Sequence, residues 1–136
     1  MTMSPIPTVL VIDDNGDMTE MLCDYFETQN INCKVINDGK KGLEELRNEG
    51  EKYILILLDL AMPVFSGYDI FYELRKENLL SSRNLIIFTA SAVTDSEIQE
   101  LLNTGAKGVI KKPLSLDELD ELVQNTLKST LHDTEN

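Results

Sequence analysis

An unbroken apolar run, Tyr53-Ile54-Leu55-Ile56-Leu57-Leu58, ends on a carboxylate, Asp59. The run falls far short of the roughly 20 apolar residues a membrane span needs. It has no polar alternation, so it reads as a strand over 53–59 buried on both faces. A strand of that kind needs a layer of structure on each side. Its last residue opens Leu60-Ala61-Met62-Pro63-Val64-Phe65-Ser66-Gly67, a loop marked by proline and glycine. The carboxyl end of a buried strand is where open α/β sheets place their chemistry. The plain alternative is that Asp59 starts a turn or caps the next helix.

The rest of the chain supplies the missing layers. Thr8 to Ile12 is a second buried-strand pattern, ending on Asp13-Asp14. From about Gly16 to Thr28, Met18, Met21, Leu22, Tyr25 and Phe26 recur at helical spacing and mark one apolar face. Ile31–Ile36 is a weaker strand between turn residues, and Lys40 to about Asn48 is a helix that Gly50 is suited to end. After the Asp59 loop, Ser66 to Glu77 forms a helix with Ile70, Phe71 and Leu74 inward. Asn84–Thr89 is a fourth strand, followed by the small-residue loop Ala90-Ser91-Ala92. Thr94 to about Thr104 is a helix with Ile98, Leu101 and Leu102 inward, and Gly108–Lys111 a short fifth strand before Lys112-Pro113. Ser115 and Glu118 make a capping box for a last helix that runs to about Thr130, with Leu119, Leu122, Val123 and Leu127 as its stripe. Five strands thus alternate with five helices. That is an α/β pattern: a (βα)5 doubly wound, five-stranded parallel sheet with helices on both faces. Residues 1–7 read as a lead-in, 8–130 as the domain, and 131–136 as a polar tail containing His132.

Composition narrows the partners. The chain has 136 residues and a formal net charge of −12. Phosphate backbones and anionic membranes would repel it, so direct nucleic-acid or membrane binding is not expected. Neither a G-x-G-x-x-G nor a P-loop pattern is present, which argues against NAD and ATP. Cys23 and Cys33 form no metal-type spacing and read as small buried hydrophobes in a reducing cytosol. The N-terminus lacks a signal-peptide pattern, so a cytoplasmic location is expected.

In a parallel sheet all carboxyl ends lie on one edge. Asp13, Asp14, Asp59, Thr89 and Lys112 would then converge on one cleft. Two carboxylates about 4 Å apart repel by roughly 4 kcal/mol at an effective dielectric near 20. Three acids therefore need protons or cations to offset them. Lys112 supplies one charge, and all-oxygen ligation suits Mg²⁺. Taken singly, each residue has a plain role: Asp13-Asp14 as a helix cap, Thr89 as a strand residue, Lys112 as a surface lysine. Taken together they are parts for metal-assisted phosphoryl transfer onto a carboxylate.

Val11-Ile12-Asp13-Asp14, Leu58 through Gly67, Phe88-Thr89-Ala90 and Gly105 through Pro113 together resemble the receiver domain of two-component response regulators (the CheY-like superfamily). The resemblance spans about residues 8–130 and implies the strand order 2-1-3-4-5, the order the general account of doubly wound folds gives for a member of this family. It implies that Asp59 accepts the phosphoryl group and that Asp14 and Asp59 ligate Mg²⁺, with Asp13 reaching it through water. It further implies that the Ala61 backbone carbonyl is a metal ligand. Thr89 would turn its hydroxyl toward the phosphoryl group, Ala90 would leave it room, and Lys112 would pair with a phosphoryl oxygen. Pro113 would follow a cis peptide bond, which X-Pro tolerates at small cost. Lys112 is preferred to Lys111 because it directly precedes Pro113. The implied donor is a histidine kinase or a histidine phosphotransfer protein. The implied output is protein contact through the fourth helix, fifth strand and fifth helix, as in stand-alone chemotaxis-type or phosphorelay receivers. No enzymatic activity beyond self-phosphorylation and self-dephosphorylation is implied. Two positions depart from the usual pattern: Val109 stands where an aromatic residue often turns inward, and Ala61 has no side chain to orient a hydrolytic water. Ala61 also argues against a phosphatase of the haloacid-dehalogenase type, which needs an acid two residues after its nucleophile.

Overall fold

In the computed structural model the buried run occupies the middle of a five-stranded parallel sheet. Residues 6–90, 92–113 and 115–135 are described, the side chains of residues 127 and 129–135 excepted. The strands are β1 (Thr8–Ile12), β2 (Asn32–Ile36), β3 (Leu55–Asp59), β4 (Leu85–Thr89) and β5 (Gly108–Lys111). They lie in the order β2-β1-β3-β4-β5. The helices between and after them are α1 (Gly16–Thr28), α2 (Gly39–Glu49), α3 (Gly67–Lys76), α4 (Asp95–Thr104) and α5 (Leu116–Glu135).

Alternate strand residues face opposite layers. Leu10, Ile12, Ile56, Leu58, Leu85 and Ile87 pack with Leu43, Leu46, Ile70, Leu74 and Leu101, the inner faces of α2, α3 and α4. Val9, Val11, Leu55, Leu57, Ile86 and Phe88 pack with Leu22, Phe26, Leu119 and Val123, the inner faces of α1 and α5. All five residues of β3 are buried, as are all five of β4. This double layer explains why the central strands read as continuous apolar runs.

Several boundaries differ from the sequence expectation. β3 begins at Leu55, because Gly50–Lys52 forms a 3₁₀ turn and Tyr53 is buried just before the strand. α5 continues to Glu135, beyond the expected end near Thr130; no Gly or Pro interrupts Leu116–Glu135. The expected side-chain roles of Leu127 and the 131–136 tail lie outside the described residues, as do Ser91 and residues 1–5 of the lead-in. In α1 the inward polar residue is Thr19, its hydroxyl donating to Gly16 O at 3.0 Å, while Met21 is exposed. Gly50 does not end α2 through a left-handed turn, since its φ is −59°. It is small because a Cβ there would strike the Arg83 side chain.

The cysteines need a correction. Cys23 on α1 and Cys33 on β2 form a disulfide, with Cα atoms 5.4 Å apart and a sequence separation of 10. The turn between α1 and β2 folds the strand back along the helix and brings the two half-buried side chains together. They are therefore not two independent apolar fillers. No helix among the described residues is long and apolar enough to cross a membrane.

Candidate functional site

Sheet register assembles the site. Ile12 lies opposite Leu58, which sets Asp13 beside Asp59 at the carboxyl edge. Asp59 pairs with Phe88, so Thr89 follows at the end of β4. Thr89 pairs with Lys111, so Lys112 lies just past the edge. The Lys112 backbone N–H donates to Thr89 O at 2.7 Å, tying the two strand ends together.

One carboxylate oxygen from each of Asp13, Asp14 and Asp59 can lie within 4.8 Å of the others. Asp13 and Asp59 are 1% and 3% exposed, so charges on them are screened much less than at the surface; Asp14 is exposed. Lys112 Nζ donates to Asp59 Oδ1 at 3.2 Å and stands 3.8 Å from Asp13 Oδ2. The Ala61 N–H also donates to Asp59 Oδ1, at 3.2 Å. Lys111 instead reaches Asp95 at the start of α4, 3.8 Å away. The Lys112–Pro113 peptide bond is cis. Thr89 is buried, Ala61, Ala90 and Pro113 are exposed, and Val109 is half-buried against the core layer beneath α2–α4.

α1 is capped by Asn15, whose side chain accepts from the Met18 N–H at 3.1 Å. α3 is capped by Ser66 in a capping box with Asp69. Neither Asp13, Asp14 nor Asp59 is therefore used as a cap. Asp59 does hold a local turn through the Ala61 N–H, so the turn reading holds in part. Asn15 is the residue that sequence reasoning missed: its own N–H donates to Asp13 Oδ1 at 2.9 Å. Its signal was an Asn directly before the helix, overshadowed by two adjacent aspartates that cap equally well. Gly67 ends the loop that Asp59 opens. A Cβ there would strike the Asp59 carbonyl, so only glycine lets α3 start against the strand end.

Asp13 Oδ2 is buried and has no hydrogen-bond donor. Burial, and then the Asp59 charge, push the Asp13 carboxyl above its usual range, against the opposing pull of the Asn15 N–H and Lys112. An orphaned carboxylate oxygen beside two more acids, with one lysine to balance them, fits a hard divalent cation with oxygen ligands.

The family model described as the response regulator receiver domain matches residues 9–124. Among curated proteins, the response regulator SaeR of Staphylococcus aureus (strain USA300) is 28% identical over 119 residues, covering 88% of this chain and 50% of SaeR. The probable transcriptional regulator ycf29 of Porphyra purpurea is 27% identical over 119 residues, covering 88% of this chain and 56% of its own length. The chain thus spans about half the length of the curated relatives it matches. Among solved structures, the receiver domain of the Francisella response regulator 1452 superposes with a TM-score of 0.79 at 31% identity, over 91% of this chain and 98% of that one. The Vibrio cholerae chemotaxis protein CheY4 shares the fold, with a TM-score of 0.74 at 20% identity over 90% and 99% of the two chains. With the sheet order, the acid cluster and the match over residues 9–124 in agreement, this chain belongs to the response regulator receiver domain family.

Proposed function

We propose that the chain accepts a phosphoryl group on Asp59 and signals the change through protein contact. Receiver domains bind Mg²⁺ at an acidic pocket and work between histidine kinases and downstream effectors. The observation that carries the reading for this chain is the Asp59–Lys112 contact at 3.2 Å beside the orphaned Asp13 oxygen. A carboxylate oxygen of Asp59 attacks the phosphorus of a phosphohistidine on a kinase or phosphotransfer protein. The P–N bond breaks with its electron pair leaving on the imidazole, which takes up a proton, and an acyl phosphate forms. Asp14, Asp59 and the Ala61 carbonyl, with Asp13 through water, would hold Mg²⁺, which would supply charge neutralisation at the phosphoryl oxygens. Lys112 leaves Asp59 for a phosphoryl oxygen and keeps the site balanced. The Thr89 hydroxyl donates to another oxygen, and Ala90 leaves the space it needs. Val109 lacks the long lever of an aromatic ring, so output through α4, β5 and α5 rests on movement of the Thr89 loop and α4. The receiver unit is taken as residues 8–130.

The reading is tested by following amide NMR shifts of α4 and β5 after addition of Mg²⁺ and acetyl phosphate. The shifts are expected in the wild type and in Lys111→Ala. They are expected to be largely lost in Lys112→Ala, because Lys111 faces Asp95 and not the acids. Equal loss in the two lysine variants would reject the assignment of Lys112.

A further inference from the structure

Away from the acid site, a cleft of about 210 Å³ opens between α3 and α4. Phe71 and Leu101, both buried, form its floor. Tyr68 and Tyr72 of α3 form one wall, 37% and 53% exposed. Glu97 and Glu100 of α4 form the other. Neither glutamate has an ion-pair partner among the described residues. Other surface acids do find cations: Glu45 has Lys34, and Glu77 has Arg47. Arg75 lines the cleft and also the neighbouring polar groove of Glu100 and Thr104. Burial, and then the Glu97 charge, push the Tyr68 phenol up, so that carboxylate and this ring share one field.

We propose that this cleft seats an arginine side chain of a partner protein, its guanidinium between the tyrosine rings and Glu97. Size and charge select that occupant. The cleft is smaller than the roughly 300–1,000 Å³ of small-molecule sites and suits one long side chain. Tyrosine faces attract cations, arginine guanidinium most often, and the apolar floor receives an aliphatic stem. The unpaired glutamates supply a charge-assisted acceptor, and arginine stacks and hydrogen-bonds at once where lysine cannot. The −12 net charge favours approach of a basic partner. The proposal does not depend on phosphorylation of Asp59, and its failure would leave that reading untouched.

The test uses the whole chain with saturating Mg²⁺, titrated by N-acetyl-arginine amide and by its neutral isostere N-acetyl-citrulline amide, with amide NMR shifts as the readout. Saturable shifts led by Tyr68, Tyr72 and Glu97 are expected with arginine, and at least tenfold weaker binding with citrulline. Glu97→Gln combined with Glu100→Gln should bring arginine down to the citrulline level. Tyr72→Ala should weaken both probes. Equal binding of the two probes, absence of saturation, or shifts led by the Asp13–Asp14 edge would overturn the proposal.

Discussion

Asp13 shows how one residue can be costly to the fold and useful to the site. Its Oδ2 has no donor, and burial pushes its carboxyl up. Above the usual carboxylate value of 3.8, the metal-free folded state holds more protons here than the unfolded state. Stability from this group is therefore intact at lower pH and falls as pH rises through the folded value. Asp13→Asn should accordingly raise metal-free stability at neutral pH by about 1 kcal/mol, the scale of an unsatisfied buried acceptor. The gain should vanish near pH 3.8 and below. Mg²⁺ should stabilise the wild type by about 2.7 kcal/mol at a hundred times its dissociation constant, and the variant much less. Thermal melts across pH, with and without Mg²⁺, check both signs. The positions of Asp13, Asp14, Asp59 and Lys112 were legible in the sequence because strand ends in a parallel sheet share an edge. The role of Asn15 was not. Three consecutive residues, Asp13, Asp14 and Asn15, are all good caps, and only the backbone path shows which one turns into the helix.

At the scale of elements, two links outside the site hold the frame. Arg83, just before β4, is buried and donates through Nε to Leu46 O at 2.7 Å and through Nη2 to Arg47 O at 3.2 Å. It thereby satisfies carbonyls near the end of α2 that lack helical partners. Arg83→Met keeps the apolar stem but strands these acceptors, so urea melts should show a loss of about 2–3 kcal/mol. Mg²⁺ affinity should stay near wild type, since α2 carries no site residue. The Cys23–Cys33 disulfide closes a short loop between α1 and β2. Reduction should lower stability by about 2–3 kcal/mol on the loop-entropy account. Cys33→Ser should melt at the same temperature with and without reductant. Helices and strands were readable because their apolar spacing reports the layer they face. The disulfide and the Arg83 link were not, because each joins residues whose proximity depends on the completed fold.

For the whole molecule, the strand ends converge on one edge because the sheet is parallel and its two core layers pin each strand. β3 at the centre is buried along its whole length and paired on both sides, so Asp59 is presented from a fully enclosed strand. The strand order was not readable from alternation alone; it came from the resemblance, and the sheet agrees with it. The central claim is that this edge takes up a phosphoryl group on Asp59 when Mg²⁺ is present. The direct measurement is intact-protein mass spectrometry after incubation with acetyl phosphate, for the wild type and Asp59→Asn, with Mg²⁺ and with a chelator. The account predicts the added mass of one phosphoryl group in the wild type with Mg²⁺, and none in the other three samples. An unmodified wild type, or equal modification of Asp59→Asn, would contradict it.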